Sequence, residues 1–440
     1  MRLLLVNPWI YDFACYDLFS KPIGFLKIAH LLKILGFSID YIDCLDRLHP
    51  VMRKFKVKTT AYGCGNYYSE IVEKPAVFKD IPRYYKRYGM PLEIFKNLLK
   101  KIKKPDIILL SSGMTYWYKG VFEVIEILKN KFKNIPVILG GIYASLCFEH
   151  AQKFSGADVI FKENKIDDFL NLVSKILNKE LHFYKDFKKL RPLYEIYPKL
   201  NYVSLRTSGG CPFRCSYCGW YRIERDLYQI PYEEVFQQIE YFYKKLKIRN
   251  FAFYDDALLY NSDKHIKPLL KLILKNKIKA NFHTPNGLNA IFIDKELAYL
   301  LKKANFVQVR LGLETANPNR QKTTGMKIDN LKIKQVVKFL KDADFNKDEI
   351  AIYLMMGLPD QTFKEIEESI YFAHSLKVKV YLEEYSPVPG TLDYKRAKLS
   401  KDLDPLWHNN SVFPLYKGWE NYLEFQKLKD LNHKLNQELN

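Results

Sequence analysis

Gly209-Gly210-Cys211-Pro212-Phe213-Arg214-Cys215-Ser216-Tyr217-Cys218 places three thiols at C-x3-C-x2-C, directly after the apolar run Val203-Ser204-Leu205. Thiolates are soft ligands that suit an iron-sulfur cluster, and three of them on a cubane hold three irons and leave the fourth open to a substrate or cofactor. With 7 Cys in 440 residues, a chance match to this spacing is expected only ~0.002 times per chain. A structural zinc would ask for a fourth Cys or His nearby, and the first candidate after Cys218 is the distant His265. The spacing therefore favours the cluster. Cys15, Cys44, Cys64 and Cys147 are scattered singly, unlike a secreted disulfide framework, and a reducing compartment fits them best.

Downstream of this loop, strands are expected at 203–205, 251–254, 280–283, 307–313, 350–356 and 378–384, and helical periodicity fills each gap, as at 233–245, 295–302, 330–340 and 364–375. Six strand-helix units predict a partial (β/α)6 TIM barrel whose chemistry lies at the C-terminal ends of its strands. Upstream, strands at 2–6, 38–42, 107–110, 137–139 and 158–161 alternate with helices and predict a flavodoxin- or Rossmann-like parallel sheet. The expected fold class is α/β, with domains at 1–180 and 201–395. An aromatic-rich, ordered insertion occupies about 50–104, a linker with Pro192 and Pro198 spans 181–200, and a small helical extension covers 396–440. In the N-terminal sheet a ligand belongs outside the strand ends at the switch point, where Asn7-Pro8, Ser111-Ser112-Gly113 and Gly140-Gly141 expose backbone.

Composition narrows the function. The chain has 48% hydrophobic and 27% charged residues, with 19 Gly and 20 Pro, which excludes disorder as a main theme. The +21 net charge comes mostly from Lys dispersed along helical stretches, a solvated surface rather than a polyanion groove, so no nucleic-acid partner is expected. Neither a secretory leader nor an apolar run long enough to span a membrane is visible. The expected location is cytoplasmic, with no membrane partner.

C-x3-C-x-aromatic-C at the first strand of a six-unit barrel resembles the radical S-adenosylmethionine (SAM) superfamily, over about residues 202–390. The resemblance implies that the open iron of a 4Fe-4S cluster on Cys211, Cys215 and Cys218 chelates SAM. One electron, from a donor such as flavodoxin or ferredoxin, then cleaves SAM to methionine and a 5'-deoxyadenosyl radical, which abstracts hydrogen from an organic substrate. It further implies that Tyr217 lies by the adenine and that Asp255 and Asp256, standing where Gly-Gly-Glu is usual, face the methionine ammonium. By the same resemblance Arg310 and Glu314 reach the carboxylate or ribose, and Met356 and Gly357 border the adenine. Asn286-Gly287 and the 386–391 segment resemble loops of one branch.

The N-terminal part resembles the cobalamin-binding (B12-binding) domains fused to many such enzymes, which implies cobalamin at Asn7, Ser111, Ser112, Gly113, Gly140 and Gly141. Two departures stand out: Asp46 and His49 do not form Asp-x-His-x-x-Gly, and Phe161-Lys162-Glu163-Asn164 carries no glycine. The implied activity is that of a cobalamin-dependent radical SAM enzyme methylating or otherwise modifying an unactivated carbon. Two alternatives remain open at this point. One is a two-cluster enzyme similar to tRNA methylthiotransferases, using Cys15, Cys44 and Cys64; the other is a non-catalytic cluster-binding scaffold.

Overall fold

The computed structural model describes residues 1–162, 165–181, 186–400, 402–416 and 418–439. The chain divides into two compact units, Met1–Leu200 with Asp404–His408, and Asn201–Leu403 with Asn409–Asn440. Each is built from parallel strands followed by helices.

In the first unit β1 (Arg2–Asn7), β2 (Ser38–Asp43), β3 (Ile107–Leu110), β4 (Val137–Leu139) and β5 (Val159–Ile160) form one parallel sheet in the order β5-β4-β3-β1-β2. Winding reverses between β1 and β3, where such sheets leave a crevice at the strand C-termini. Leu3 to Val6 are 0% exposed, because helices cover both faces of the sheet, and this is why β1 reads as a continuous apolar run rather than an alternating one. The helix Ile23–Ile34 stops at Gly36, whose positive φ lets its own N–H and that of Phe37 turn back to the carbonyls of Lys33 and Leu32. The insertion is ordered. Lys86–Tyr88 pairs with both Ile10–Asp12 and Ser69–Ile71, and Trp9, Phe13, Phe78, Tyr85 and Phe95 pack edge to face or tilted around it.

Two segments differ from the expected organisation. Of the expected linker, the described residues 186–200 are packed into the first unit: Leu190 and Leu193 join the core of Leu3, Leu5 and Ala29. The Leu193 N–H donates to the Leu26 carbonyl at 3.1 Å, and the Tyr197 hydroxyl donates to Asp43 at 2.6 Å. Buried apolar and aromatic side chains outweigh the two prolines that suggested a linker. The C-terminal segment is also not one extension. Residues 404–408 belong to the first unit, where the Tyr118 hydroxyl donates to Asp404 at 3.0 Å and His408 Nδ1 meets the Thr115 hydroxyl at 3.0 Å. The helix Trp419–Glu438 belongs to the second.

In the second unit β6 (Val203–Leu205), β7 (Asn250–Phe253), β8 (Asn281–His283), β9 (Phe306–Glu314), β10 (Ile350–Met356) and β11 (Lys379–Glu384) pair in sequential order, all parallel. This is the expected partial barrel. A stack of Phe251, Phe253, Phe282 and Phe306, with ring centroids 5.6–5.9 Å apart, ties β7, β8 and β9 together. The open edge at β11 is covered by the Trp419–Glu438 helix: Asn432 and Asn436 donate to the Val380 carbonyl at 3.0 and 2.8 Å, and Asn436 accepts from the Val380 N–H. Polar residues in that helix thus satisfy an edge strand. Among the described residues no helix is long and apolar enough to cross a membrane.

Leu193→Ala should lower the stability of the first unit by about 2–5 kcal/mol, the cost of emptying a core position. Urea unfolding followed by tryptophan fluorescence measures it; an unchanged midpoint would mean that 186–200 is a linker after all.

Candidate active site

The cysteine loop leaves β6 and is fixed from four sides. Asp255, at the end of β7, collects three donors on one buried oxygen: the Thr207 N–H at 2.8 Å, the Thr207 hydroxyl at 2.9 Å and the Ser208 hydroxyl at 2.6 Å. His265 adds a contact to the same Thr207 hydroxyl at 2.8 Å. A short ribbon pairs Ser208–Gly209 with Tyr228–Gln229; a Cβ on Gly209 would stand 2.1 Å from the Tyr228 ring, so only glycine permits this approach. Ser216 bonds Asp393 twice, its hydroxyl donating at 2.6 Å and its carbonyl accepting from the Asp393 N–H at 2.9 Å. The Ser216 N–H reaches the Thr324 carbonyl at 3.3 Å. Next to that contact Gly325, at φ +124°, leaves 3.1–3.2 Å between its Cβ position and the Cα and Sγ of Cys215.

Cys211, Cys215 and Cys218 are free thiols. Burial pushes Cys215 up to about 11, so the thiolate needs a metal to take its proton's place. Among the described residues no three Cys, His, Asp or Glu side chains gather around a single ion, whereas a cubane gives each cysteine its own iron. Cys15, Cys44 and Cys64 occupy separate settings: Cys44 is sealed at 0% exposure, and Cys64 bonds the Thr60 hydroxyl at 3.0 Å.

Beside the loop lies a group of buried polar atoms that no side chain or backbone group satisfies: the donors Arg206 Nε and Nη2 and Trp220 Nε1, and the acceptors Asp255 Oδ2 and Asp256 Oδ2. Arg206 stacks on Trp220 at 4.8 Å and stands 3.6 Å from Asp256 and 3.8 Å from Glu224, too far for a hydrogen bond. Each such atom costs about 1–3 kcal/mol when left without a partner. Donors beside acceptors in one place complement a group carrying both a carboxylate and an ammonium. The two aspartates are among the residues singled out from the sequence; Arg206 and Trp220, which the structure places beside them, lie in no motif.

The other expected residues separate into two levels. Tyr217 is partly buried against Leu358, Tyr385 and Phe413, and Lys327 Nζ lies 5.5 Å from its ring centroid. Lys327 donates to Glu314 at 2.9 Å, and despite burial Glu314 holds the ammonium well above its usual range. Glu314 adopts φ +69°, a left-handed conformation that stores strain at the end of β9. Arg310 is not part of this pair. Four residues earlier on the strand, and so ~13 Å deeper, it donates to Gln308 at 2.8 Å and to the Tyr353 hydroxyl at 2.7 Å. Met356 is 1% exposed and its carbonyl accepts from the Tyr385 N–H, so Met355 rather than Met356 lies on the less buried face of β10. At Gly357, φ is +86° and a Cβ would lie 3.3 Å from Phe425.

In the first unit the strand-end residues do meet at the switch point. Asn7 donates to Asp43 at 2.7 Å and accepts from the Ser111 hydroxyl at 2.7 Å. The Ser112 hydroxyl donates to the Gly140 carbonyl at 2.6 Å. A Cβ on Gly141 would strike Ser112 and one on Gly113 would strike Trp117, whereas at Gly140 it would meet only the Phe161 carbonyl, at 3.7 Å. Gly140 is therefore the open edge. His49 is elsewhere, beyond β2, accepting from the Val51 N–H at 3.3 Å. Of the glycine-free turn, Glu163 and Asn164 lie outside the described residues.

Residues 205–373 match the radical SAM superfamily profile. The second unit thus carries a radical SAM domain. An uncharacterised methyltransferase of Pyrococcus horikoshii is 23% identical over 376 residues, 77% of each chain. An anaerobic magnesium-protoporphyrin IX monomethyl ester cyclase of Cereibacter sphaeroides is 22% identical over 73% of this chain and 58% of its own length. Among solved structures, the radical SAM methyltransferase TsrM of Kitasatospora setae, with tryptophan substrate and a SAM analogue bound, has a TM-score of 0.65 at 14% identity, covering 89% of this chain and 74% of that one. The cobalamin-dependent radical SAM enzyme OxsB has a TM-score of 0.56 at 15% identity, covering 92% and 56%. At these identities the likeness shows the fold, and it spans both units of the chain.

Gly325→Val should cut iron incorporation from about four per chain to under about half of that, because the side chain displaces Cys215. Gly418, at φ +106° with nothing within 4 Å of its Cβ position, supplies the control: Gly418→Val carries similar backbone strain and should leave iron unchanged. Equal iron loss in both, by colorimetric assay, would contradict the role given to Gly325.

Proposed function

We propose that this is a cobalamin-dependent radical SAM enzyme that methylates, or otherwise modifies, an unactivated carbon of a small organic substrate. The observation that carries the reading is the set of unsatisfied buried donors and acceptors at Arg206, Trp220, Asp255 and Asp256 beside the three-cysteine loop. Cys211, Cys215 and Cys218 would hold the 4Fe-4S cluster, and Asp256 with the free oxygen of Asp255 would take the ammonium of SAM. When bound, the cluster supplies SAM with one electron from a low-potential carrier such as flavodoxin or ferredoxin, and cobalamin supplies methyl-transfer chemistry.

What the chain itself contributes is position. Asp255 fixes the start of the cysteine loop while keeping one oxygen free, and Tyr217 seals the loop against an apolar cluster that excludes water. Cobalamin is supported by the strand order, by the side-chain-free edge at Gly140 and by the fold shared with TsrM and OxsB. Asn7, Ser112 and Gly140 at the switch point would hold the corrin, and His49 lies away from them. Methyl transfer is favoured over other outcomes because the Pyrococcus relative and TsrM both carry that name.

Purification with hydroxocobalamin should give a corrin absorption spectrum in wild type, and Gly140→Trp should lose it while keeping its iron. A wild type that takes up no cobalamin yet binds SAM would remove cobalamin from the proposal. A second outcome concerns pH. Burial pushes the Asp256 carboxyl up to about 7, with Arg206 opposing and Asp255 adding to the rise. The acid is therefore largely protonated one unit below that value and ionised one unit above it. SAM affinity measured by calorimetry should rise by up to roughly tenfold across that interval, and Asp256→Asn should flatten the profile. An unchanged slope in the variant would remove Asp256 from the ammonium site.

A further inference from the structure

The Thr207 hydroxyl stands between two buried partners, Asp255 Oδ1 at 2.9 Å and His265 Nε2 at 2.8 Å. It has one hydrogen to give. The same Asp255 oxygen takes the Thr207 N–H at 2.8 Å, which can only donate, and the Ser208 hydroxyl at 2.6 Å, the pattern of a carboxylate oxygen that accepts from three sides. A Thr207 hydrogen turned toward the histidine would leave two oxygens facing each other at 2.9 Å with no hydrogen between them. The hydrogen therefore lies on the Asp255 side, and His265 Nε2 must carry a proton of its own to donate to the Thr207 oxygen. The three side chains form a relay with one direction, from His265 Nε2–H through Thr207 to Asp255.

A buried imidazole is costly unless its N–H is used, and the contact with Thr207 is the one side-chain hydrogen bond of His265 among the described residues. Burial pushes its pKa below the usual range, with Asp255 opposing, which favours a neutral ring whose single proton sits on Nε2. At the other end of the relay Asp255 Oδ2 is buried without a partner. A carboxylate bonded through one oxygen can swing about its Cβ–Cγ bond and turn the free oxygen away. Three aligned donors on Oδ1 restrict that swing, and His265 fixes the direction of one of them. Hydrogen bonds in series also strengthen one another.

We infer that His265 is a positioning residue: by donating to Thr207 it directs that hydroxyl's hydrogen onto Asp255 and holds the free Asp255 oxygen in place for the ammonium of SAM. The inference rests on the reading given above, in which that oxygen and Asp256 take the ammonium, and it adds a residue that acts on the site through Thr207 alone. His265 precedes the helix Ile266–Lys275 and lies in no motif. In the sequence it stands only as a distant candidate ligand for zinc; in the structure its Nε2 is committed to a hydroxyl.

The test uses the cluster-reconstituted full chain with SAM as the probe, in a double-variant cycle read by calorimetry and iron assay. His265→Leu removes the donor and Thr207→Val the hydroxyl, and each should weaken SAM binding by about tenfold. Iron should be unchanged, since the backbone N–H of residue 207 and the Ser208 hydroxyl still hold Asp255 in both variants. The double variant should bind SAM within about twofold of Thr207→Val alone, because His265 acts only through the hydroxyl. His265→Gln, whose amide nitrogen can stand in for Nε2, should stay within about twofold of wild type. If the two losses multiply in the double variant, His265 is a packing residue and the inference is overturned; iron loss in His265→Leu, or SAM affinity unaltered in either single variant, overturns it too. Wild type supplies a readout that depends on no variant binding SAM: proton–nitrogen NMR of the histidine-labelled chain, with His265 assigned by its absence from His265→Gln, should show the proton on Nε2. A ring protonated on Nδ1 alone would overturn the relay. Wild type that fails to hold iron or SAM sinks the radical SAM reading and this inference with it, whereas the other contrary outcomes leave that reading standing.

Discussion

One carboxylate oxygen does most to set the geometry of the barrel mouth. Asp255 Oδ1 accepts from Thr207 twice and from Ser208 once, and so fastens the residues leading into the cysteine loop to the end of the neighbouring strand. Buried, charge-assisted hydrogen bonds of this kind are short and directional. The loop that follows can then be aimed, because its first residues cannot rotate away from β7. The same residue keeps its second oxygen unsatisfied beside Arg206 and Asp256. A single side chain thus both anchors the cysteine loop and keeps a buried oxygen free beside it.

From that constraint the rest of the barrel mouth follows in layers. Tyr217, Lys327 and Glu314 form the level next to the cysteines, with the lysine's charge maintained in a buried place by the glutamate. Below them, Arg310 is braced by Gln308 and Tyr353. Polar groups in a strand interior are costly unless satisfied, and here the two levels are satisfied differently: the upper by an internal ion pair, the lower only in part. The first unit follows another logic, since its strand ends bond to one another through Asn7, Ser111, Ser112 and Asp43, leaving open space at Gly140.

Much of this was legible in the sequence, for identifiable reasons. The strands of both sheets appear as short apolar runs because parallel strands are covered on both faces, and the three cysteines are legible because their spacing is rare. The two units were misjudged at their borders: Leu193 and Tyr197 are core residues in a segment whose prolines suggested a linker, and Asp404 to His408 return to the first unit through contacts separated by nearly three hundred residues. Side-chain direction was also hidden. That Arg310 belongs with Gln308 and Tyr353 rather than with Glu314, and that Arg206 and Trp220 stack beside the aspartates, are long-range facts that no local spacing encodes.

The account stands on the claim that Cys211, Cys215 and Cys218 carry a cluster with one iron open to SAM. Electron paramagnetic resonance of the anaerobically reconstituted, dithionite-reduced chain tests it most directly. A 4Fe-4S signal should be present, should change shape when SAM is added, and should be missing from the triple alanine variant of the three cysteines. A signal that SAM leaves unaltered, or one that survives in the variant, would contradict the claim.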